Sequence, residues 1–299
     1  MRIDLHVHSN ASDGTDDPAE VMRRAAVAGL DVVALTDHDT QAGLAEASAA
    51  LPNGLTLVPG MELSCQLSSA PSGGRPPQTR SVHLLAYLFD PQDPALRAET
   101  AQIRDDRTYR ARAMVDRMRE LGADVTWEQV AAIAGGAVVG RPHLARALAA
   151  SGAVATPADA FTADWIADGG RAFVDRYAPD LARAVGLVRA AGGVPVLAHP
   201  RSPGYEIPDD VIAALAGTGL CGIEVFHFDH DQSQRARLAQ LAGSLNLIMT
   251  GGSDDHGSYR PGGRPSVPGE TNDRGLGSET TPPEEYERLR ALASAARAR

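Results

Sequence analysis

The chain has 299 residues, enough for one large domain or one domain carrying an insertion. Its formal net charge of −10 and its 4% aromatic content argue against a broad electrostatic grip on nucleic acid and against base-stacking tracks, so stable DNA binding and processive nucleic-acid chemistry are not expected. There is no signal-peptide pattern after Met1, no membrane-length apolar run, and two cysteines (Cys65 and Cys221) that are too few for a disulfide framework; a cytoplasmic protein with reduced thiols, away from membranes, is expected.

In chain order, Ile3, Leu5 and Val7 alternate with Asp4, His6 and His8, which predicts a strand with both imidazoles on one face. Asp17-Pro18 is a helix start and Gly29 a stop. The apolar run Asp31 to Thr36 predicts a buried strand ending in Asp37-His38-Asp39. A second helix is expected from Gln41 to Ala50, then a strand from Leu55 to Val58 that ends in Pro59-Gly60-Met61-Glu62. Strand alternating with helix implies βαβ units and a parallel sheet. Residues 66–81 are rich in Ser, Gly and Pro and predict a long loop, followed by a strand from Val82 to Leu88.

From about Pro94 to Ala184 the composition changes to Ala- and Arg-rich helix. Ala111, Met114, Val115, Met118 and Leu121 share one helical face, Gly122 ends it, Thr126 and Gln129 form a capping box, and Thr156-Pro157 opens another helix. The βα rhythm then resumes, with strands at Val194–Ala198, Gly222–Phe226 and Leu245–Thr250, helices near 209–216 and 235–242, and a terminal helix near Glu284 to Ala296. The expected organisation is a discontinuous α/β barrel (1–93 and 185–275), a helical insertion or cap (94–184) and a C-terminal tail and helix (276–299).

Predicted strand ends carry His6 and His8, His38, Glu62, His83, His199, and Asp254 with His256; six of the nine histidines fall there. In a parallel α/β barrel the carboxyl ends of the strands share one rim, where active sites sit. Imidazole mixed with carboxylate, without thiolate, suits zinc, manganese or iron. With Asp13 the pool exceeds what one ion needs, which suggests a cluster bridged by a carboxylate such as Glu62. Clustered divalent ions with a metal-bound hydroxide suit displacement at phosphorus.

These residues resemble a known family. His6-Val7-His8-Ser9 with Asp13, Thr36-Asp37-His38-Asp39, Pro59-Gly60-Met61-Glu62, Ala198-His199-Pro200 and Gly252-Ser253-Asp254-Asp255-His256-Gly257 resemble, in order, the PHP (polymerase and histidinol phosphatase) superfamily. Gly140-Arg141-Pro142-His143-Leu144-Ala145-Arg146 resembles its branch of small nucleotide phosphatases and 5′-to-3′ exoribonucleases. The resemblance implies a distorted (β/α)7 barrel with a helical insertion and three divalent ions (Mn²⁺, Fe²⁺ or Zn²⁺). One ion would take His6, His8, Glu62 and Asp254; a second Glu62, His83 and His199; a third Asp13, His38 and His256, the metal-coupled catalytic group. Asp255 departs from the family's apolar or aromatic preference, which alters local charge and removes no ligand. The implied activity is hydrolysis of 3′,5′-bisphosphonucleotides to 5′-monophosphates, and of short RNA from its 5′ end.

Arginine forks suit phosphate, so Arg141, His143 and Arg107 are expected to hold the phosphate that is not cleaved. His227 and His230 are either groups that support the ligands from behind or surface residues, and neither is assigned to the site. A histidinol-phosphate-type phosphatase and a non-catalytic metal-binding module remain as alternatives, and the sequence carries no signal for oligomeric state.

Overall fold

The computed structural model describes residues 1–68, 79–137, 139–202, 206–257 and 275–298. Seven strands form one sheet in chain order: β1 (Ile3–Val7), β2 (Val32–Leu35), β3 (Thr56–Ser68), β4 (Thr79–Tyr87), β5 (Val194–Leu197), β6 (Gly222–Phe226) and β7 (Ile248–Gly251). The chain just after β7 returns to β1 through a parallel bridge between Val7 and Asp255, with the His8 amide donating to the Asp255 carbonyl at 2.9 Å. The result is a nearly closed barrel of the expected distorted (β/α)7 kind.

The expectation of a purely parallel sheet is corrected at β4, which pairs antiparallel with both β3 and β5. The cause lies in β3. Pro59-Gly60 does not end that strand, and pairing continues through Glu62 to Ser68. A hairpin needs no crossover helix, so the next strand returns in the opposite direction. His83 therefore sits within β4, opposite Ser64, and not at a strand's carboxyl end. The hairpin also shortens the expected 66–81 loop, since Gln66–Ser68 pair with Thr79–Ser81; residues 69–78 lie outside the described residues, as does the tail from Tyr259 to residue 274.

Helices α1 (Pro18–Val27), α2 (Leu44–Ala49), α3 (Pro94–Glu120), α4 (Trp127–Ala134) and α5 (Arg141–Ala150) precede β5; α6 (Leu181–Ala190), α7 (Asp209–Thr218), α8 (Gln232–Ser244) and α9 (Pro283–Arg297) complete the chain. The local signals act where they were read. The Asp17 carboxylate accepts the Glu20 amide at the start of α1, Gly29 and Gly122 take positive φ after α1 and α3, and Thr126 and Gln129 cap α4 reciprocally. Two helices differ. Gln41–Gly43 form a turn before α2. Thr156-Pro157 opens only a 3-10 turn, Pro157–Ala160: the Asp159 carboxylate caps its start through the Thr156 amide and hydroxyl at 2.9 and 2.7 Å, and the backbone leaves the helical region at Phe161, where ψ is 56°.

Apolar residues on one set of strand faces fill the barrel interior: Ile3, Leu5, Val32, Ala34, Val58, Leu85, Val194, Val196 and Ile248 pack with Tyr286, Leu289 and Ala293 of α9. The Tyr87 hydroxyl satisfies its buried oxygen on the Leu5 carbonyl at 2.8 Å. Met114, Met118, Val125, Leu144, Leu148 and Ile166 belong to a separate core among α3, α4, α5 and the following loop. The apolar side of α6 packs with barrel residues such as Leu84 and Leu197. Among the described residues no helix is long and apolar enough to cross a membrane.

Candidate metal centre

Glu62 is the meeting point. Its Oε2 lies 3.2 Å from His6 Nε2, 3.1 Å from His8 Nε2 and 3.2 Å from His38 Nδ1; its Oε1 lies 2.8 Å from His83 Nδ1 and 3.1 Å from His199 Nε2. Five imidazoles thus face one buried carboxylate. Asp254 Oδ1 closes one side, 3.3 and 3.2 Å from the Nε2 atoms of His6 and His8. On another side Asp13 Oδ1 lies 3.3 Å from His256 Nε2, and Asp13 Oδ2 lies 3.9 Å from His38 Nε2. All nine residues expected at the site share this end of the barrel.

Among the described residues, three groups offer ligand atoms within 4.8 Å of one another: His6, His8, Glu62 and Asp254; His8, Asp13, His38 and His256; and His38, Glu62 and His83. The first is the set expected for one ion. In the third, His38 stands beside Glu62 and His83, while His199, expected with those two, falls in none of the three groups and lies 3.1 Å from Glu62 Oε1. His6 Nε2, both ring nitrogens of His8, His38 Nδ1 and Glu62 Oε2 are buried without a hydrogen-bond partner. Each such atom costs about 1–3 kcal/mol if left so, and so many in one place with mixed imidazole and carboxylate chemistry fit divalent cations.

The charges are mutually dependent. Burial works against a proton on His8, but Asp254 and Glu62 override it and raise its pKa to about 10. Burial prevails at His38, pushing it down to about 3 despite Glu62 and Asp13. Burial would also raise Glu62 and Asp254, yet the surrounding imidazoles hold both well below the usual carboxylate range.

Residues that the sequence reading left without a role hold this cluster in place. Glu224, buried in β6, accepts from the His199 amide at 2.8 Å and meets His6 Nδ1 at 3.0 Å. Burial alone would raise its pKa, but His6 holds it at about 2. Asp37 takes the Ser9 amide and the Ser9 and Ser12 hydroxyls at 2.6–2.8 Å, shaping the loop to Asp13. Asp4 takes the Ser253 amide and hydroxyl at 3.0 and 2.6 Å, fixing the residue before Asp254. His199 and Asp254 adopt φ of 23° and 51°, backbone that non-glycine residues enter at a cost and that is typical of functional positions. The Asp255 charge is matched by Arg24, 2.9 Å away, which also binds Asp16 at 2.5 Å. The acid in the apolar run of β6 was a readable signal for Glu224; Arg24 offered none, since its partners lie on distant loops.

The residues expected to bind phosphate have prior commitments, and of the three Arg107 and His143 stand beside the cluster, through Asp39 and Asp13. Arg107 is buried, its Nε 2.8 Å from Asp39 Oδ2 and its Nη2 2.5 Å from Ser64 Oγ. Arg141 donates to Asp168 Oδ1 at 2.5 Å. His143 Nδ1 accepts the Gly140 amide at 3.0 Å, and burial pushes its pKa to about 4 although Asp13 pulls the other way. Two further arginines join them. Arg176 donates to Ser64 and Ser81 at 2.9 and 2.5 Å, and Arg110 donates to the Val174 carbonyl at 2.5 Å. Burial and the neighbouring arginines lower Arg176 to about 9 and Arg110 to about 10.

A barrel with a buried His/Asp/Glu cluster at one end defines a metal-binding hydrolase architecture, and comparison with known proteins gives the family. Residues 4–146 match the family described as PHP domain. The chain is 35% identical over 265 residues to the 3′,5′-nucleoside bisphosphate phosphatase of Chromobacterium violaceum, covering 85% of this chain and 87% of that one. It is 32% identical to a 5′-3′ exoribonuclease of Haemophilus influenzae (85% and 90% covered) and 33% identical to a phosphoribosyl 1,2-cyclic phosphate 1,2-diphosphodiesterase of Eggerthella lenta (87% and 95%). A solved structure from Bifidobacterium adolescentis, assigned by inference as a metal-dependent phosphoesterase, superposes with a TM-score of 0.84 at 32% identity over 97% of this chain and 96% of that one. The chain belongs to the PHP domain family.

Proposed function

We propose that this protein is a metal-dependent phosphoesterase that converts 3′,5′-bisphosphonucleotides to 5′-monophosphates, with short RNA attacked from its 5′ end as a second substrate. The observation that carries the reading is the convergence of five imidazoles on the Glu62 carboxylate. His6, His8, Glu62 and Asp254 would hold one ion, Glu62, His83 and His199 a second, and Asp13, His38 and His256 a third. Such ions supply an activated water and neutralise phosphoryl oxygens. The side chains do the rest. Glu62 would be shared between ions, Asp13 and His256 would present ligands on the side of α5, and Glu224 keeps His6 in one orientation. Water adds at phosphorus, the P–O bond to the ribose oxygen breaks, and that oxygen leaves as a hydroxyl after taking up a proton.

Arg141, His143 and Arg107 would hold the retained phosphate, with Arg110 and Arg176 adding to the local positive potential. Four guanidiniums (Arg107, Arg110, Arg141 and Arg176) face three close carboxylates, Asp39, Asp106 and Asp168. That surplus favours an ester with a second anionic group over histidinol phosphate. The relative from Eggerthella lenta supports a second reading, a phosphodiester on a phosphorylated ribose, which also presents two phosphate groups.

The test is turnover of four compounds in parallel by Mn²⁺-supplemented protein: a 3′,5′-bisphosphonucleotide, a phosphoribosyl cyclic phosphate, histidinol phosphate and a short 5′-phosphorylated RNA. His8→Ala serves as control. Control-sensitive turnover of the bisphosphonucleotide is expected. Faster turnover of the cyclic phosphate would move the assignment to the diester, and bound metal with no turnover of any of the four would favour a non-catalytic module.

A further inference from the structure

The loop after β6, His227-Phe228-Asp229-His230, brings two buried histidines behind the cluster. His227 is 1% exposed, and its Nε2 is buried without a hydrogen-bond partner. Its Nδ1 accepts from the Asp229 amide at 3.2 Å. An accepting ring nitrogen carries the lone pair, so the neutral ring has its proton on Nε2. Nε2 faces Asp254 Oδ2 at 3.6 Å, while Asp254 Oδ1 faces His6 and His8.

The loop cannot easily turn this ring away. Arg235 donates to the His227 carbonyl at 2.8 Å and to the His230 carbonyl at 2.9 Å. The His230 ring meets the Val225 carbonyl through Nδ1 at 3.0 Å and accepts the Arg201 amide at Nε2 at 3.2 Å. His227 is also packed between rings, with centroids 5.2 Å from His199 and 5.5 Å from His230.

We propose that His227 is a positioning residue: a fixed Nε2–H donor to Asp254 Oδ2 that reserves Oδ1 for the ion held with His6, His8 and Glu62. A direct ligand role would need the lone pair on Nε2, and the proton on Nδ1 would then face the Asp229 N–H, donor against donor. At 3.6 Å the contact is longer than a formed hydrogen bond, and it is expected to tighten as Oδ1 is engaged. The inference rests on the metal-centre reading above.

The test compares His227→Phe, which keeps a ring and loses the donor, with His227→Gln, which keeps an N–H. Co²⁺ affinity is measured by chelator competition, with the visible spectrum of the bound ion as a second readout. His227→Phe is expected to weaken one ion by about 10–100-fold and to shift its spectrum, with His227→Gln recovering most of the affinity. Full-affinity ion binding and an unchanged spectrum in His227→Phe would overturn the proposal. So would equal losses in the two variants, which would mean either ligation by the imidazole or packing alone. Wild-type protein that binds no divalent ion would instead overturn the metal-centre reading itself.

Discussion

The His6 ring is held between two carboxylates, with Glu224 Oε1 3.0 Å from Nδ1 and Glu62 Oε2 3.2 Å from Nε2, all three residues fully buried. A ligating imidazole whose other nitrogen donates to a carboxylate is fixed in tautomer and direction and made more basic. Glu224→Gln is therefore expected to lower metal affinity by about 10–100-fold with the fold intact. Glu224→Ala should lose more, since it also strands the His199 amide. Isothermal titration with Mn²⁺ checks this, and wild-type affinity in both variants would remove Glu224 from the centre.

Metal uptake should depend on pH in a direction set by His8. Its pKa is raised to about 10 by Asp254 and Glu62 over the opposing effect of burial. A raised histidine stabilises the ion-free fold fully below about 6.5, its unfolded value, and that stabilisation is lost as pH rises through about 10. An incoming cation must displace the proton. His38, at about 3, has none to release. The Mn²⁺-induced rise in melting temperature should thus grow between pH 6.5 and 8.5 against a chelator-treated reference. A rise that is flat with pH would contradict the assignment.

The sequence made most of this candidate centre legible because its candidate ligands, Asp13 apart, interrupt or follow apolar runs, where a charged or imidazole side chain has no packing role. What it did not show depends on pairing across long distances. The reversal of β4 follows from β3 continuing past Pro59-Gly60, and no local feature near His83 announces it. Arg107 was readable as a helix arginine, but its burial against Asp39 is set by how α3 crosses the barrel. Glu224 was visible as an acid in a buried strand and His227 as a histidine after one; their meaning came only from what lies opposite them.

The two arginines expected to bind phosphate should separate experimentally. Arg107 is buried and paired with buried Asp39, so Arg107→Ala leaves a buried charge without its partner, a change that costs about 3–5 kcal/mol. It should depress the melting temperature and the turnover of every substrate together. Arg141 pairs with Asp168, which is 70% exposed, and such a pair contributes at most about 1 kcal/mol. Arg141→Ala should leave stability nearly unchanged and weaken a bisphosphate more than a simple aryl phosphate. Equal losses on both substrates would exclude Arg141 from phosphate recognition.

Gly252 sets how closely the Asp254 loop approaches β1. A Cβ at this position would lie 2.3 Å from His6 Cβ and 2.5 Å from the His6 backbone nitrogen, and the Asp254 amide two residues on donates to the His6 carbonyl at 2.8 Å. Backbone cannot yield as a flexible side chain does, so Gly252→Ala must push the loop outward and carry Asp254 away from His6 and His8. The expected cost is about 1–3 kcal/mol in stability, together with weakened metal binding. Gly243, inside α8, has nothing within 4 Å of its hypothetical Cβ, so Gly243→Ala should be neutral or stabilising by up to about 1 kcal/mol. Chemical denaturation of the two variants, each with and without Mn²⁺, separates the effects. If Gly252→Ala matched Gly243→Ala in both stability and ion binding, close contact between the two strands would not be what places Asp254.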